Sequence, residues 1–189
     1  MKLVPVRFVA YVEDQQVNVV VVHQLQKFAR VEVDRIGLFC GSETGPVTDN
    51  DDLAVQEAGA HVVNQCPLIR GVNDDEVVLT ELFETATALG MSQYYLFQGR
   101  PTAGNEPYEV PLVEGFEIFD LARQRCSGLS RRVRFAMSHA SGKIEVLGLD
   151  DDHIYLRYHR AKDPAMESKI VVCRRDDDAF WFDDLEVIN

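Results

Sequence analysis

Residues 64–101, NQCPLIRGVNDDEVVLTELFETATALGMSQYYLFQGRP, limit the possible folds more than any other stretch. An apolar run over residues 61–69 (Val62, Val63, Cys66, Leu68, Ile69) has the length and composition of a buried strand. A polar break at residues 70–74 follows, with Asp74 placed to cap a helix and Asp75 and Glu76 in its first turn. Val78, Leu79, Leu82, Phe83, Ala86 and Leu89 recur at helical spacing, and Gly90 stands where a helix stops. Tyr94, Tyr95, Leu96 and Phe97 read as a second strand, broken by Gln98-Gly99-Arg100-Pro101. Two apolar strands joined by a capped amphipathic helix predict a right-handed βαβ unit with parallel strands. In open α/β sheets and βα barrels, the loops that follow the strands share one face, and sites are built there. Residues 70–75 and 98–105 are two such loops, although their composition also suits ordinary capped turns.

After this unit the pattern stays helical and then changes period. Pro111 suits the first turn of a second helix, Val113, Phe116, Phe119 and Ala122 form its stripe, and Gly128 lies past its end. From Arg132 onward, Val133, Phe135 and Met137 alternate with Arg132, Arg134 and Ala136. Ile144 and Val146, then Ile154, Leu156 and Tyr158, continue the period of two, with a turn at residues 150–152. Before the central unit, residues 3–12 and 17–22 read as strands, 24–29 as a short helix and 31–39 as an extended piece. A loop over 41–52 then leads to a helix over 53–58. The division expected is a poorly patterned segment over 1–47, a βα part over 48–131 and an antiparallel β-rich part over 132–189.

Composition removes several classes of function. At 189 residues and 46% hydrophobic, the chain is large enough for one domain with a substantial core. No segment approaches the roughly 20 apolar residues of a membrane helix, so no membrane partner is expected. The net charge of −12 argues against nucleic acid, whose phosphates need a basic surface. Cys40, Cys66, Cys126 and Cys173 are too far apart for a zinc knuckle, a redox pair or an iron–sulfur run. Reduced thiols in a cytoplasmic protein are expected. His153, His159 and the aspartate runs at 150–152 and 176–178 match neither an EF-hand nor a zinc spacing, and read as solvated turns.

The wording of the central stretch carries more than its periodicity. NQCPLIRGVNDD, one helix, and then YYLFQGRPTAGNEPYEVPLVEGFEIFDLARQRCSG resemble the C-terminal half of the lysine 2,3-aminomutase family of radical SAM enzymes. The resemblance runs over about residues 48–184, through Ser141-Gly142-Lys143 and on to AFWFDD. It implies the C-terminal part of a partial βα, TIM-like barrel, followed by an antiparallel tail. It also implies the family's chemistry: SAM cleaved at a 4Fe–4S cluster, and pyridoxal phosphate (PLP) assisting an amino group to migrate between adjacent carbons. The three-cysteine CxxxCxxC run that holds the family's cluster is not in this sequence. SAM and the cluster are therefore expected only through an N-terminal half or a partner chain, and the chain alone is expected to be inactive.

The resemblance assigns residues one by one. Lys143, after His139-Ala140-Ser141-Gly142, stands where the family carries its PLP lysine, behind a glycine run here reduced to one. A buried amine would favour imine formation; an exposed turn lysine is the other reading. His139 would serve PLP or only the turn. Gln65 would lie on the SAM side of the barrel, and Phe97 stands where the lysine enzymes place a tyrosine near PLP. Arg100 replaces an aspartate that meets the ammonium of lysine, and Ser138 replaces a second. Charge reversal at Arg100 would repel free lysine and suit an acidic group, unless Arg100 is paired with Glu106 or Glu109. An amino acid other than lysine is the expected substrate. A non-catalytic PLP or small-molecule-binding module, a homo-oligomer, and a subunit completed by a cysteine-bearing chain remain as alternatives.

Overall fold

The computed structural model describes residues 63–188 throughout and residues 7–13 and 16–22 as backbone. The latter are strands β1 (Arg7–Glu13) and β2 (Gln16–Val22), paired as an antiparallel hairpin where two strands are expected from the sequence. The expected helices over 24–29 and 53–58, the extended piece over 31–39 and Cys40 lie outside the described residues.

Six strands in chain order make one open, mixed sheet: β3 (Val63–Pro67), β4 (Ser92–Phe97), β5 (Arg134–His139), β6 (Gly142–Leu149), β7 (His153–Ala161) and β8 (Ile170–Arg174). β3, β4 and β5 are parallel, and from β5 onward every pairing is antiparallel. Helix α1 (Glu76–Ala88) joins β3 to β4, and α2 (Leu112–Arg125) joins β4 to β5. Two right-handed crossovers between successive neighbours put both helices on one face of the sheet. They touch there: Thr80 Oγ1 donates to Ala122 O at 3.3 Å, and Arg125 Nη2 lies 3.3 Å from Glu76 Oε1. The expected βαβ unit is present, and the sheet does not close among the described residues. The antiparallel strands continue the parallel ones edge to edge, because β5 pairs with β4 on one side and β6 on the other.

Local chemistry explains both helices. Asp75 caps α1, its Oδ1 accepting from Val77 N at 2.9 Å and Val78 N at 3.1 Å. Asp74, expected as the cap, instead closes the preceding loop by accepting from Gly71 N at 2.7 Å. Gly71, at φ +73°, supplies the left-handed backbone that brings this N–H round to the carboxylate. Leu79, Leu82, Phe83 and Ala86 turn inward, each large side chain contributing about 1.5–3 kcal/mol by burial. In α2 the buried stripe includes Gly115, where a Cβ would stand 2.7 Å from Leu68 Cδ2 and 3.2 Å from Phe135. Glycine at that position lets α2 press close against the strand ends.

The core lies between this face of the sheet and the helices, with Leu96, Phe135, Met137, Ile144 and Leu156 fully buried. Ala179, Trp181 and Leu185 close it beyond α2. Residues 186–188 run along the outer edge of β8: Arg174 N donates to Glu186 O, and Ile188 N to Val172 O, both at 2.9 Å.

Candidate functional site

Alternation along the strands divides the polar residues from the core. Leu96, Phe135 and Met137 face the helices, and their neighbours Tyr95, Phe97, Arg134, Ala136 and Ser138 face the other way. A two-residue turn, Ala140-Ser141, reverses the chain after β5 and pairs His139 with Gly142 and Ser138 with Lys143. Lys143 thus returns on the polar face, at the C-terminal ends of the parallel strands. Its Nζ stands over the Tyr95 ring at 5.0 Å and the Phe97 ring at 5.4 Å, within cation–π range. Between Lys143 and β4 lies Ala136, in register with Phe97, and its small side chain leaves the lysine room to cross β5.

The other residues singled out from sequence divide into two groups. Arg100 comes to the same end of the sheet, donating from Nη2 to the carbonyl of Ser138 at 2.7 Å. It forms no ion pair with Glu106 or Glu109 among the described residues. Gln65 is 1% exposed in mid-β3, in register with Tyr95 and so one strand further along the same face. Phe97 and Ser138 join Lys143 directly. His139 does not. It points to the helix side, with Nε2 3.1 Å from Asp183 and Nδ1 2.7 Å from Ser141 Oγ, against Trp181 and Phe182. Ser141 Oγ is in turn 2.9 Å from Tyr158 Oη. This chain of bonds pins the turn from behind while Lys143 projects in front.

Sequence reasoning passed over the charged residues on the lysine face. Glu145, two residues after Lys143, accepts from Arg157 Nη2 at 2.6 Å and lies 3.8 Å from Arg134 Nε. Arg134 Nη1 lies 3.0 Å from both ring nitrogens of His159. Burial, reinforced by the Arg134 charge, lowers the His159 pKa. Tyr95 is wholly buried beside this group, and Arg157 leaves its Nε without a hydrogen bond. Burial, with Tyr94 adjacent, raises the Tyr95 phenol well above its ordinary value. The signal was available as alternation: Arg134 with Ala136 and Ser138, Lys143 with Glu145, Arg157 with His159.

Remaining polar groups are accounted for by structure. Arg70 grips Glu114 through both terminal nitrogens, at 2.5 and 2.7 Å, and holds that carboxyl below its usual range. Burial pushes Cys66 up to about 12 and raises Cys126 and Cys173, so none of these thiols is a ready nucleophile. Asp150 accepts from Tyr155 Oη at 2.6 Å and from two backbone N–H groups, which hold it down to about 2. No three His, Cys, Asp or Glu side chains converge as metal ligands among the described residues. No helix among them is long and apolar enough to cross a membrane.

The described residues thus define a mixed α/β sheet protein with an aromatic-flanked lysine at the C-terminal end of its parallel strands. No family profile matches the chain. A protein of Aquifex aeolicus, provisionally named an L-lysine 2,3-aminomutase, is 47% identical over 130 residues, covering 69% of this chain and 35% of that protein. L-lysine 2,3-aminomutase of Clostridium subterminale is 33% identical over 85 residues, covering 43% and 20% respectively. Glutamate 2,3-aminomutase of Clostridioides difficile is 29% identical over 73 residues, covering 39% and 17%. Over the matched residues the chain is homologous to the lysine 2,3-aminomutases, consistent with a C-terminal part of that family. It spans about a third or less of the length of these relatives.

Proposed function

We propose that this chain supplies the lysine-bearing part of an aminomutase-like radical SAM isomerase, built as part of a βα barrel. One observation carries the reading: Lys143 Nζ lies over Tyr95 and Phe97, on the sheet face away from the helices. The residues there fit PLP, since they offer a primary amine for covalent attachment and two aromatic rings to cover a flat pyridine. Bound PLP would supply the electron-withdrawing ring that eases amino migration between adjacent carbons. Lys143 would hold it, while Phe97 and Tyr95 would orient it and exclude water from one side. Arg100, tied to Ser138 O by a single hydrogen bond, keeps donors for an anionic substrate group. An ammonium would be repelled there, so free lysine is disfavoured as substrate. The similarity to a glutamate 2,3-aminomutase is in keeping with this.

The residues present do not fit a 4Fe–4S cluster, because the four cysteines are far apart in sequence and the three described ones are separately buried. No radical step is therefore assigned to this chain. On this reading SAM and the cluster come with a cysteine-bearing segment or partner in the cytoplasm, and alone the chain is inactive. The same isolation of the cysteines favours a second reading, a PLP or small-molecule-binding module without radical chemistry.

Covalent trapping tests the shared element. The full chain is incubated with PLP, reduced with borohydride and digested for mass spectrometry. A pyridoxyl group concentrated on Lys143, and lost in Lys143→Arg, supports the proposal. Equal labelling of Lys143, Lys162 and Lys169 would refute it.

A further inference from the structure

We propose that Asp183 and His139 are positioning residues for Lys143, holding the turn before it so that Nζ comes to rest over Tyr95 and Phe97. The inference rests on the role proposed for Lys143 and supplies what sets its place. The polar groups behind the turn are ordered by what each can do. Ser141 N can only donate, and it points at His139 Nδ1 from 3.1 Å, so Nδ1 accepts and carries no proton. The ring proton is then on Nε2, 3.1 Å from both Asp183 oxygens, which as a carboxylate can only accept. Ser141 Oγ, 2.7 Å from Nδ1, donates to it, which leaves its lone pairs for the Tyr158 hydroxyl at 2.9 Å. Every donor therefore runs from β7 through the turn to one carboxylate, and bonds chained in this way strengthen one another.

The register of β6 is where this order matters. Pairing with β7 shifts between Lys143 and Ile144: Lys143 is opposite Arg160, Ile144 is opposite Tyr158, and His159 is passed over. A bulge at that point leaves β7 a weak guide to register, and a slip of one residue would turn Lys143 to the opposite face. The chain of bonds removes that freedom. It ties Ser141 to Tyr158 on β7 and to His139 on β5, and Lys162 N donates to Ser141 O at 2.8 Å alongside. The tail brings the carboxylate into place. Asp184 Oδ2 accepts from Phe180 N and Trp181 N at 3.1 and 2.8 Å, folding residues 180–184 into a turn that sets Asp183 at the ring. Trp181 and Phe182 flank His139, whose side chain is 11% exposed. The two aspartates of AFWFDD thus have separate tasks, one shaping the tail and the other orienting the histidine.

Protons held above the Tyr95 and Phe97 rings are shielded, which gives a direct readout of where Lys143 lies. In carbon–proton NMR of the full chain, its Hε resonances should lie upfield of those of Lys162 and Lys169, and should vanish in Lys143→Arg. Asp183→Ala changes a carboxylate that is 71% exposed, so the circular dichroism should be unaltered. Most of the upfield displacement should nonetheless be lost, and the pyridoxyl trapped on Lys143 should fall a few-fold with it. Asp183→Asn, which keeps an acceptor oxygen, restores the displacement, as a general loss of stability would not. His139→Asn keeps an acceptor for Ser141 N but cannot reach Asp183. It should match Asp183→Ala, the double variant should add nothing further, and it serves if Asp183→Ala fails to fold. Asp178→Ala, an exposed aspartate outside the chain of bonds, leaves the resonance where it is. The proposal is overturned if wild type shows no displacement, if Asp183→Ala retains it, or if Asp178→Ala removes it equally. A displacement that depends on Asp183 in a protein that fails the borohydride trap would remove only the cofactor role of Lys143.

Discussion

Gly142 is the one glycine left before Lys143, and a cofactor approaching the backbone would explain a glycine there. The structure supplies a different reason. A Cβ on Gly142 would overlap the Arg160 carbonyl oxygen outright and stand 2.9 Å from Ala161 Cα, both backbone atoms of β7. Neither can swing aside as a side chain would. The residue is also at φ +145°, which side-chain-bearing residues rarely adopt. Gly142→Ala must therefore push β6 off β7 at its first pair, Gly142 with Ala161, and strain the neighbouring bond from Lys162 N to Ser141 O, 2.8 Å long. Loss of one or two backbone hydrogen bonds costs about 0.5–1.5 kcal/mol each. The unfavourable backbone adds about 1–3 kcal/mol, and the stiffer unfolded chain returns roughly 0.4–1 kcal/mol. A net loss of about 2–4 kcal/mol is expected, a large part of a typical domain's stability. Trp181, the single tryptophan and nearly buried, reports urea unfolding by fluorescence. The midpoint should fall by about 1–2 M at an unchanged slope. Gly148→Ala, in the same strand with open space around it, is the control and should change the midpoint little. If Gly142→Ala unfolds with Gly148→Ala and wild type, close packing against β7 is not what requires the glycine.

Two further changes test local chemistry. Asp75→Ala should cost about 1 kcal/mol in urea unfolding through loss of the α1 cap, and an undiminished midpoint would mean that Asp75 is not the cap. Asp150 is held below its ordinary value first by the Tyr155 hydroxyl, so its contribution is complete above the unfolded carboxylate pKa and lost as pH falls through about 2. Tyr155→Phe should move the Asp150 titration upward in an NMR pH series, so that acid weakening begins at higher pH; an unmoved titration would discount the Tyr155 bond.

What could be read from the chain was whatever depends on near neighbours. The spacing of Leu79, Leu82, Phe83 and Ala86 gave α1, and the apolar runs on either side gave β3 and β4. The cap was misplaced by one residue because Asp74 and Asp75 are chemically equivalent, and the choice was made by where Gly71 points its N–H. Alternation over 133–137 identified a strand but not its direction, since a parallel and an antiparallel strand alternate alike. Grouping His139 with Lys143 followed closeness in sequence, whereas the pleat and the Ala140-Ser141 turn put them on opposite faces. Arg134, Glu145 and Arg157 were hidden, and His159 was read as a solvated turn residue although it lies within β7, because their meeting depends on the order of β5, β6 and β7 across the sheet.

The bridge between residues 186–188 and β8 covers one border of the sheet. With Val172 O and Arg174 N already engaged on that border, a further strand finds no free ladder to join there. The other border strand of the sheet is β3, part of the parallel βα half. That border is met in turn by β2 of the hairpin, which lies against β3, so both borders of the sheet face other parts of this same chain.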